Sequence, residues 1–398
     1  METGASVEER RTVTAAGGRG DRGYTRAAML TPGEALTQVL EHISAPARIE
    51  RVPLCEAHGR CLAGEAVSDV DLPPFEKSMM DGFALASSDL AAPARLECVG
   101  ESRAGAPFTG SLAPGQCVEI YTGAELPARC DAVEMIENVR VEGRSVHFER
   151  ALRSGQNVSH QGEILRTGHT VYGPRRRLSA ADLSVLASIG HDPVPVFERP
   201  RVAVLTTGDE LVEPRHKPAR GQIREGNTLF LSAACRALGC TLTRVAIVRD
   251  DPVELERAFR AALDESDVLL TTGGVSVGKY DLVGRAFEAV GVAPILHKVA
   301  VKPGKPLWFG KRGAQPVFGL PGNPVSTLLG FELFMRAALV RLAGDDPELE
   351  RERVGRGRWC GRSERGWDRQ NNLPARLRLG ADGVRSSNRS RSGVRPTS

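Results

Sequence analysis

The chain has 398 residues, of which 41% are apolar, and a formal net charge of +4 at pH 7. This length exceeds what one hydrophobic core normally supports, so about two to four domains are expected. No run approaches the roughly 18 apolar residues of a membrane span, and the N-terminus lacks an apolar signal core. These features argue against a membrane protein and favour a soluble, cytoplasmic one.

Arginines crowd the chain after Arg351, but no aromatic-interleaved basic motif accompanies them. We therefore expect a solvated or disordered tail and no nucleic-acid partner. The eight cysteines show neither Cys-x-x-Cys spacing nor paired histidines at metal spacing. Reduced, mostly structural thiols are the interpretation that fits best.

The first part of the chain changes from irregular to helical sequence. Residues 1–28 are charged, Gly-rich and without periodicity, which indicates a disordered leader. Order is expected from Thr31, which can cap a helix whose first position is Pro32. A second helix-like pattern spans Leu54–Val67.

The next part consists of short strand patterns separated by Gly, Pro and Asp turns, which are typical of a small β domain. Helical spacing resumes after it. We therefore predict that residues 67–152 form a β domain inserted into an N-terminal linker or dimerisation domain, made of residues 29–66 and 153–198.

From Arg201 onward, strand patterns alternate with helix patterns. This alternation predicts a multidomain α/β protein whose main unit, residues 199–344, is doubly wound around a parallel sheet. Ligands of such sheets bind at the carboxyl ends of the strands, where the loops TTGDE, RDD and TTGGVSVGKYD fall.

Residues 267–326 carry the strongest functional signal. Gly273 and Gly274 let backbone N–H groups approach an anion without a Cβ in the way. Lys302 and Lys305 add two positive charges on a turn that neighbouring prolines stiffen. The pattern predicts a phosphate-like or oxyanion ligand.

Carboxylates fall on the same edge of the predicted sheet, at Asp209, Glu210, Asp250, Asp251 and Asp281. Because carboxylates and phosphates repel each other, such a site needs a cation. Mg²⁺ is usually held by about one or two carboxylates together with phosphate oxygens. Each acid taken singly could instead cap a helix. For the set as a whole, we favour a Mg²⁺ site.

Two further segments, SMMDGFAL with Asp81 and YTGAEL with Thr122, have the composition of ordinary turns. Their local sequence does not decide between a turn and a functional site.

Nine motifs in a single order resemble the molybdopterin molybdenumtransferase family, which includes MoeA and the gephyrin E-domain. They are PPFEKSMMDGFA, YTGAELP, SGQNVSHQGE, TTGDEL, GQIREGN, IVRDDP, TTGGVSVGKYD, VAVKPGKP and GLPGNPVS. The resemblance covers about Met29 to Gly344, with matching spacings.

The resemblance implies an enzyme of molybdenum cofactor biosynthesis that inserts molybdate into adenylylated molybdopterin and releases AMP, with Mg²⁺ as cofactor. It also implies a homodimer in which the small β domain of one subunit completes the site of the other. A molybdopterin adenylyltransferase would act upstream, and molybdoenzymes or their chaperones would act downstream.

The resemblance also assigns roles to individual positions. Catalytic roles fall on Asp81, Thr122, Glu210, Asp250, Asp281, Lys298 and Lys302, with the first two reaching the site from the partner subunit. Asp281 and Asp250 are the implied metal ligands. Substrate binding falls on Gly273, Gly274, Ser276, Lys302, Lys305, Pro306, Pro321, Gly322, Asn323, Pro324 and Ser326.

The chain departs from the family pattern in two places. Ile164 stands where the family often has an acid, although Glu163 is adjacent. The segment GWDRQNNLPARLRLGADGV resembles the start of a C-terminal β domain, but Pro374 stands where an arginine is expected. We therefore expect residues 345–398 to form a shortened C-terminal domain and tail.

Two other functions stay open. One is a binding or scaffold protein that holds the molybdopterin nucleotide but inserts molybdate poorly. The other is a molybdopterin adenylyltransferase, against which the inserted β domain argues.

Overall fold

A computed structural model describes residues 29–348 except Ala45, Ala47, Ala92 and residues 275–281. The predicted leader and nearly all of the predicted C-terminal domain lie outside the described residues. None of the described helices is long and apolar enough to cross a membrane, and no disulfide joins the described cysteines.

The first helix, α1, spans Pro32–Glu41, as predicted. The Thr31 hydroxyl accepts a hydrogen bond from the N–H of Glu34, whose carboxylate in turn accepts the N–H of Thr31. This capping box and the proline at the first helical position both favour helix initiation here. The apolar face of α1 packs into the core of the α/β unit, so packing crosses the predicted domain boundary.

The prediction of a helix over Leu54–Val67 is wrong. Only one turn of 3₁₀ helix forms, at Leu54–Glu56. Gly59 then adopts a φ of 72°, a left-handed conformation that ends the helical winding. The surrounding strands are β1 (Ile49–Val52), β2 (Ala66–Val67) and β3 (Lys77–Ser78).

Six strands then form a separate sheet, in the order β7-β4-β6-β5-β9-β8. They are β4 (Gly82–Leu85), β5 (Ala94–Ser102), β6 (Gln116–Ile120), β7 (Ala132–Met135), β8 (Val139–Glu142) and β9 (Ser145–Phe148). Its neighbours pair antiparallel except β5 and β6, which are parallel. Buried side chains such as Phe83, Leu96 and Phe148 form its own core.

After this sheet, the chain returns to pair with the strands that precede it. The elements are β10 (Val158–Ser159), β11 (Thr170–Tyr172), α2 (Ala180–Ser188) and β12 (Val194–Phe197). β10 pairs with β3, β11 with β2 and β12 with β1, all antiparallel. Strands from before and after the six-stranded sheet thus pair with each other, which is the arrangement expected when one domain is inserted into another. The predicted limits of the domains stay predictions.

The α/β unit contains a second six-stranded sheet, in the order β16-β13-β17-β20-β19-β18. Its elements are β13 (Arg201–Thr207), β14 (Leu211–Val212), β15 (Ile223–Arg224), α3 (Asn227–Ala237), β16 (Thr241–Val248), α4 (Pro252–Glu265), β17 (Val268–Thr272), α5 (Leu282–Ala289), β18 (Ala293–His297), β19 (Trp308–Arg312), β20 (Gln315–Leu320), α6 (Pro324–Gly330) and α7 (Arg336–Leu342). The first four strands of the sheet are parallel, and β19 and β18 add an antiparallel edge.

Helices cover both faces of this sheet, which confirms the predicted doubly wound α/β fold. Residues of α1, α3 and α7 pack on one face, around Phe309 and Phe318. Residues of α4 and α5 pack on the other, around Phe287 and Trp308. Each fully buried aromatic side chain contributes about 1.5 to 3 kcal/mol relative to its exposed state.

Asp267 joins the N-terminal part of the chain to the α/β unit. Its carboxylate accepts the backbone N–H of Arg201 at 2.8 Å and the guanidinium of Arg48 at 2.7 Å. Burial by itself would raise the pKa of Asp267, but the hydrogen bonds from Arg201 and Arg48 outweigh it and lower the pKa to about 2. The ionised carboxylate therefore stabilises the fold at neutral pH.

We expect Asp267→Asn to lower the free energy of unfolding by about 1 to 2 kcal/mol at pH 7. Because the folded-state pKa lies below that of the unfolded chain, the stabilisation is present above about pH 4. It should disappear as the pH falls toward about 2. Denaturant unfolding at several pH values measures this.

A matched control is Glu265→Gln, which removes a more exposed ion pair with Arg244. This change should alter stability by less than about 0.5 kcal/mol. Equal effects of both substitutions would contradict the role given to Asp267.

Candidate active site

The parallel strands end at one edge of the sheet. Thr206 pairs with Thr272, Thr272 with Leu320, and Thr207 with Val248. The loops that follow these strands carry the predicted acids and glycine turns. The register therefore brings the three predicted loops, and the one after β20, to the same edge.

The lysine turn reaches the same edge by a different route. It connects β18 to β19, and β19 also pairs antiparallel with β20, which places Trp308 opposite Gly319, next to the carboxyl end of β20. Gly304, inside the turn, has a φ of 110°, and a Cβ built on it would lie 3.8 Å from the carbonyl oxygen of Ser326. The turn thus lies against the start of α6, beside the predicted Ser326.

The turn at Gly273 and Gly274 is packed too tightly for side chains. Gly273 has a φ of 95°, and its Cβ would lie 2.3 Å from the carbonyl oxygen of Thr207. Gly274 has a φ of 63°. A Cβ on Gly322 would lie 3.5 Å from the Cα of Gly273. Glycine is therefore required at this turn, where the ends of β13, β17 and β20 meet.

The acids of this edge form a small negatively charged cluster. Asp209 accepts the backbone N–H of Asp250 at 3.3 Å. Partial burial, followed by the negative charges of Asp209 and Glu210, raises the pKa of Asp250. A bound cation would relieve this repulsion, so the cluster has the electrostatics of a cation site.

Asp251 has the other role considered for these acids. Its carboxylate accepts the N–H groups of Val253 at 3.0 Å and Glu254 at 2.9 Å, and so caps α4. Asp250 and Asp251 are adjacent, yet one is repelled by its neighbours and the other satisfies a helix end.

The acids fit Mg²⁺ by the chemistry of their oxygen donors. Among the described residues, no group of three or more His, Cys, Asp or Glu side chains is arranged to hold a metal ion. Mg²⁺ typically takes only about one or two carboxylates and completes its shell with phosphate oxygens and water. Asp281, the other predicted ligand, and Ser276 lie outside the described residues.

Three lysines lie in the segment that connects β18 to β19. Lys302 and Lys305 are exposed, and within the described part of the chain neither pairs with a carboxylate. Lys298 adopts a φ of 75°, and its N–H donates to the carbonyl of Leu307 at 2.9 Å. The prolines of the turn include the predicted Pro306, which is partly exposed. Positive charge is therefore available to an anion at this edge.

The inserted sheet holds the remaining predicted pair. Asp81 accepts both the N–H and the hydroxyl of Thr122 at 2.7 Å. These hydrogen bonds, first the backbone one, lower the pKa of Asp81. Both residues are exposed. In the described structure no hydrogen bond connects either of them to the edge of the α/β sheet.

The carboxylate of Glu163 already accepts hydrogen bonds from its neighbours. It accepts the hydroxyl of Ser159 and, at 2.9 Å, the N–H of His160. The neighbouring Ile164 side chain is 73% exposed. The position where the family often has an acid is therefore an exposed apolar residue here.

Sequence reasoning missed the buried polar side chains beneath the Pro321, Gly322 and Asn323 turn. Asn227 donates to the carbonyl of Gly322 at 2.8 Å, and the hydroxyl of Thr272 donates to that of Pro321 at 3.1 Å. The motif GQIREGN contains Asn227, but the sequence does not show whether its amide is buried. Burial is what distinguishes a structural amide from an exposed one.

Two families match the chain in succession. Residues 30–190 match the one described as the MoeA N-terminal region (domain I and II), and residues 203–341 match the one described as a probable molybdopterin binding domain. A molybdopterin molybdenumtransferase of Haemophilus influenzae is 36% identical over 317 residues, which cover 79% of this chain and 78% of that protein. Another, of Synechococcus elongatus, is 37% identical over 306 residues, which cover 74% of this chain and 76% of that protein.

Solved structures agree with these matches. A molybdopterin biosynthesis MoeA protein of Pyrococcus horikoshii superposes with a TM-score of 0.72 and 32% identity over 79% of this chain and 80% of that one. A second structure from this organism superposes with a TM-score of 0.70 and 29% sequence identity, over 80% of each chain.

The fold and the site define a multidomain α/β protein with a molybdopterin-binding type of domain. The chain belongs to the molybdopterin molybdenumtransferase family, whose members are transferases of molybdenum cofactor biosynthesis. The family predicted from the nine motifs is thereby confirmed.

We expect Asp250→Asn to raise the midpoint of thermal unfolding at neutral pH by roughly 2 °C, because the neutral amide removes repulsion from Asp209 and Glu210. A raised folded-state pKa means that ionised Asp250 costs stability above that pKa. The gain should therefore shrink as the pH falls and the wild-type carboxyl becomes protonated. Turnover should fall about tenfold or more, if the carboxylate helps to hold a catalytic cation.

The neighbouring Asp251→Asn is the matched control, because asparagine caps helices as well as aspartate does. It should leave both stability and turnover nearly unchanged. A loss of stability in Asp250→Asn would contradict the electrostatic role proposed for the cluster.

Proposed function

We propose that this protein inserts molybdate into adenylylated molybdopterin and releases AMP in a Mg²⁺-dependent reaction. The observation that carries the proposal is the convergence, on one sheet edge, of a glycine turn, an acidic cluster and a lysine turn whose Lys302 and Lys305 pair with no described carboxylate. An oxyanion and a phosphate can bind the first two features, while the acids suit the cation between them. Relatives named molybdopterin molybdenumtransferase support the assignment.

In this proposal the protein acts by positioning and electrostatics. Lys298, Lys302 and Lys305 bind molybdate or phosphate oxygens, and Ser326 adds a hydroxyl beside them. The turns at Gly273 and Gly322 receive the pterin phosphate or the AMP side of the substrate. Cleavage of the phosphoanhydride builds negative charge, which fixed cations and N–H donors stabilise. No covalent nucleophile is required.

Asp250 and Asp281 would hold the Mg²⁺ ion. When bound, the ion would neutralise charge on the phosphate oxygens. Glu210 lies close enough to Asp250 to contribute to its raised pKa, and so adds to the negative potential that attracts the cation.

The test is AMP release from adenylylated molybdopterin by the purified protein, measured with Mg²⁺ across a molybdate titration. Saturable, molybdate-dependent release supports the proposed reaction. Tight nucleotide binding without such release would instead indicate the scaffold function, and consumption of ATP would indicate an adenylyltransferase.

We expect Lys302→Ala to raise the molybdate concentration at half-maximal rate about tenfold or more, because it removes a cation from the oxyanion site. Binding of adenylylated molybdopterin should change less than about twofold. Lys311→Ala, at the opposite end of β19, is the control and should change neither quantity. An equal loss of molybdate and nucleotide affinity in Lys302→Ala would assign this lysine to the phosphate instead.

The proposed enzyme is a homodimer in which Asp81 and Thr122 complete the site of the partner subunit. Large apolar side chains, Met79 at 53% exposure and Met80 at 39%, flank Asp81, and Tyr121 precedes Thr122. Such exposed apolar groups around a hydrogen-bonded acid favour a surface that is covered on association. A molybdopterin adenylyltransferase would supply the substrate, and molybdoenzymes or their chaperones would take the product in the cytoplasm.

At a molybdate concentration too low for Lys302→Ala to turn over, we expect this variant and the inactive Asp81→Ala to complement each other when mixed and allowed to exchange subunits. A shared site gives each mixed dimer one intact site, so about a quarter of wild-type activity should return. No recovery, under conditions where mass spectrometry detects mixed dimers, would place Asp81 and Lys302 in the same subunit's site or remove Asp81 from it.

A further inference from the structure

Buried side chains hold all three carbonyl groups of the turn at Pro321, Gly322 and Asn323. The hydroxyl of Thr327 donates to the carbonyl of Pro321 at 2.6 Å and also lies 3.1 Å from the carbonyl oxygen of Asn323, which accepts the N–H of Thr327 at 2.9 Å. Thr272 also donates to Pro321, at 3.1 Å. The Gly322 carbonyl accepts only from Asn227 among the described residues, at 2.8 Å. Each carbonyl of the turn therefore points into the protein.

The direction of these carbonyls determines the direction of the N–H groups. A trans peptide is planar, and its N–H points opposite to its C=O. The inward carbonyls of Pro321 and Gly322 therefore turn the N–H groups of Gly322 and Asn323 outward. Gly322 and Asn323 are exposed, and neither N–H donates a hydrogen bond to a described residue. Two backbone donors thus face the edge where the Gly273 turn lies.

Asn227 fixes the orientation of one of these two donors, the N–H of Asn323. The carbonyl of Gly322 and the N–H of Asn323 belong to the same peptide unit. Asn227 is 8% exposed, and its amide also donates to the hydroxyl of Thr272 at 3.1 Å. This second contact fixes the amide, while glycine at 322 would otherwise let the peptide rotate at little cost.

We propose that Asn227 is a positioning residue that holds the Gly322–Asn323 peptide so that the N–H of Asn323 donates to an anionic phosphate oxygen of the substrate. The proposal rests on the proposed function for the identity of that substrate. Asn227 itself does not touch the substrate. Its contribution is to prevent the carbonyl oxygen of Gly322 from turning outward, where it would repel the anion.

The test compares two variants that each lose an amide bonded to backbone carbonyls. Asn227→Ala removes the contact to Gly322. Gln315→Ala is the matched control, because Gln315 donates to the carbonyls of Leu263 at 2.7 Å and Ser266 at 2.8 Å, at the opposite end of β20. Equilibrium binding of adenylylated molybdopterin without molybdate is the main measurement, with thermal unfolding and the molybdate titration beside it.

We expect Asn227→Ala to weaken binding of the pterin nucleotide roughly tenfold, the loss of about one hydrogen bond to a charged group. The molybdate concentration at half-maximal rate should stay within about twofold of wild type, because the lysine turn is unchanged. Gln315→Ala should lose comparable stability but bind the nucleotide as wild type does. Asn227→Asp keeps the volume of asparagine but presents an acceptor to the Gly322 carbonyl, and should bind at least as poorly as Asn227→Ala.

Nucleotide binding by Asn227→Ala within about twofold of wild type would overturn the proposal, as would an equal loss in Gln315→Ala. If Asn227→Ala does not fold, Asn227→Asp gives the decisive comparison, and normal binding by it is equally contrary. The proposed function can fail separately: wild type would then bind the nucleotide but release no AMP with molybdate. Failure of wild type to bind the nucleotide would overturn both.

Discussion

The candidate site depends on close backbone packing where the parallel strands end. The Gly273 turn lies against the carbonyl of Thr207 and beside Gly322, with spacing that leaves no room for a Cβ at Gly273. This contact joins the ends of three strands into one surface. The acids after β13 and β16, and the lysine turn before β19, are placed relative to that surface by the strand register.

Opposite charges lie on different loops of this sheet edge. The acidic cluster follows β13 and β16, while the lysine turn adjoins β20 and α6. The pKa of Asp250 is raised, first by partial burial and then by the negative charges of Asp209 and Glu210. In the proposed function, the acidic cluster binds the metal ion and the lysine turn binds the anion. A cation bound at the acidic cluster would relieve the repulsion among its carboxylates.

The sheet of β4 to β9 carries the polar pair Asp81 and Thr122, which no described hydrogen bond links to the edge of the α/β sheet. Asp81 and Thr122 bind each other through two short hydrogen bonds, so their geometry exists before any substrate arrives. Exposed apolar residues beside them indicate a surface suited to contact. The proposed homodimer would bring this preformed polar pair to the site of the partner subunit.

The amino-acid sequence determined the α/β unit, its family and the loops of the site, because strand periodicity and glycine turns are local signals. The prediction of a helix over Leu54–Val67 was wrong. The helical spacing of the sequence continues through Gly59, but that residue takes a left-handed conformation. Only the tertiary structure distinguished Asp250 from the helix-capping Asp251, since the pKa of Asp250 depends on burial and on Asp209 and Glu210 from another loop, whereas Asp251 caps the helix that follows it. The same holds for Asn227, whose role depends on burial against a turn that lies 95 residues away in the chain.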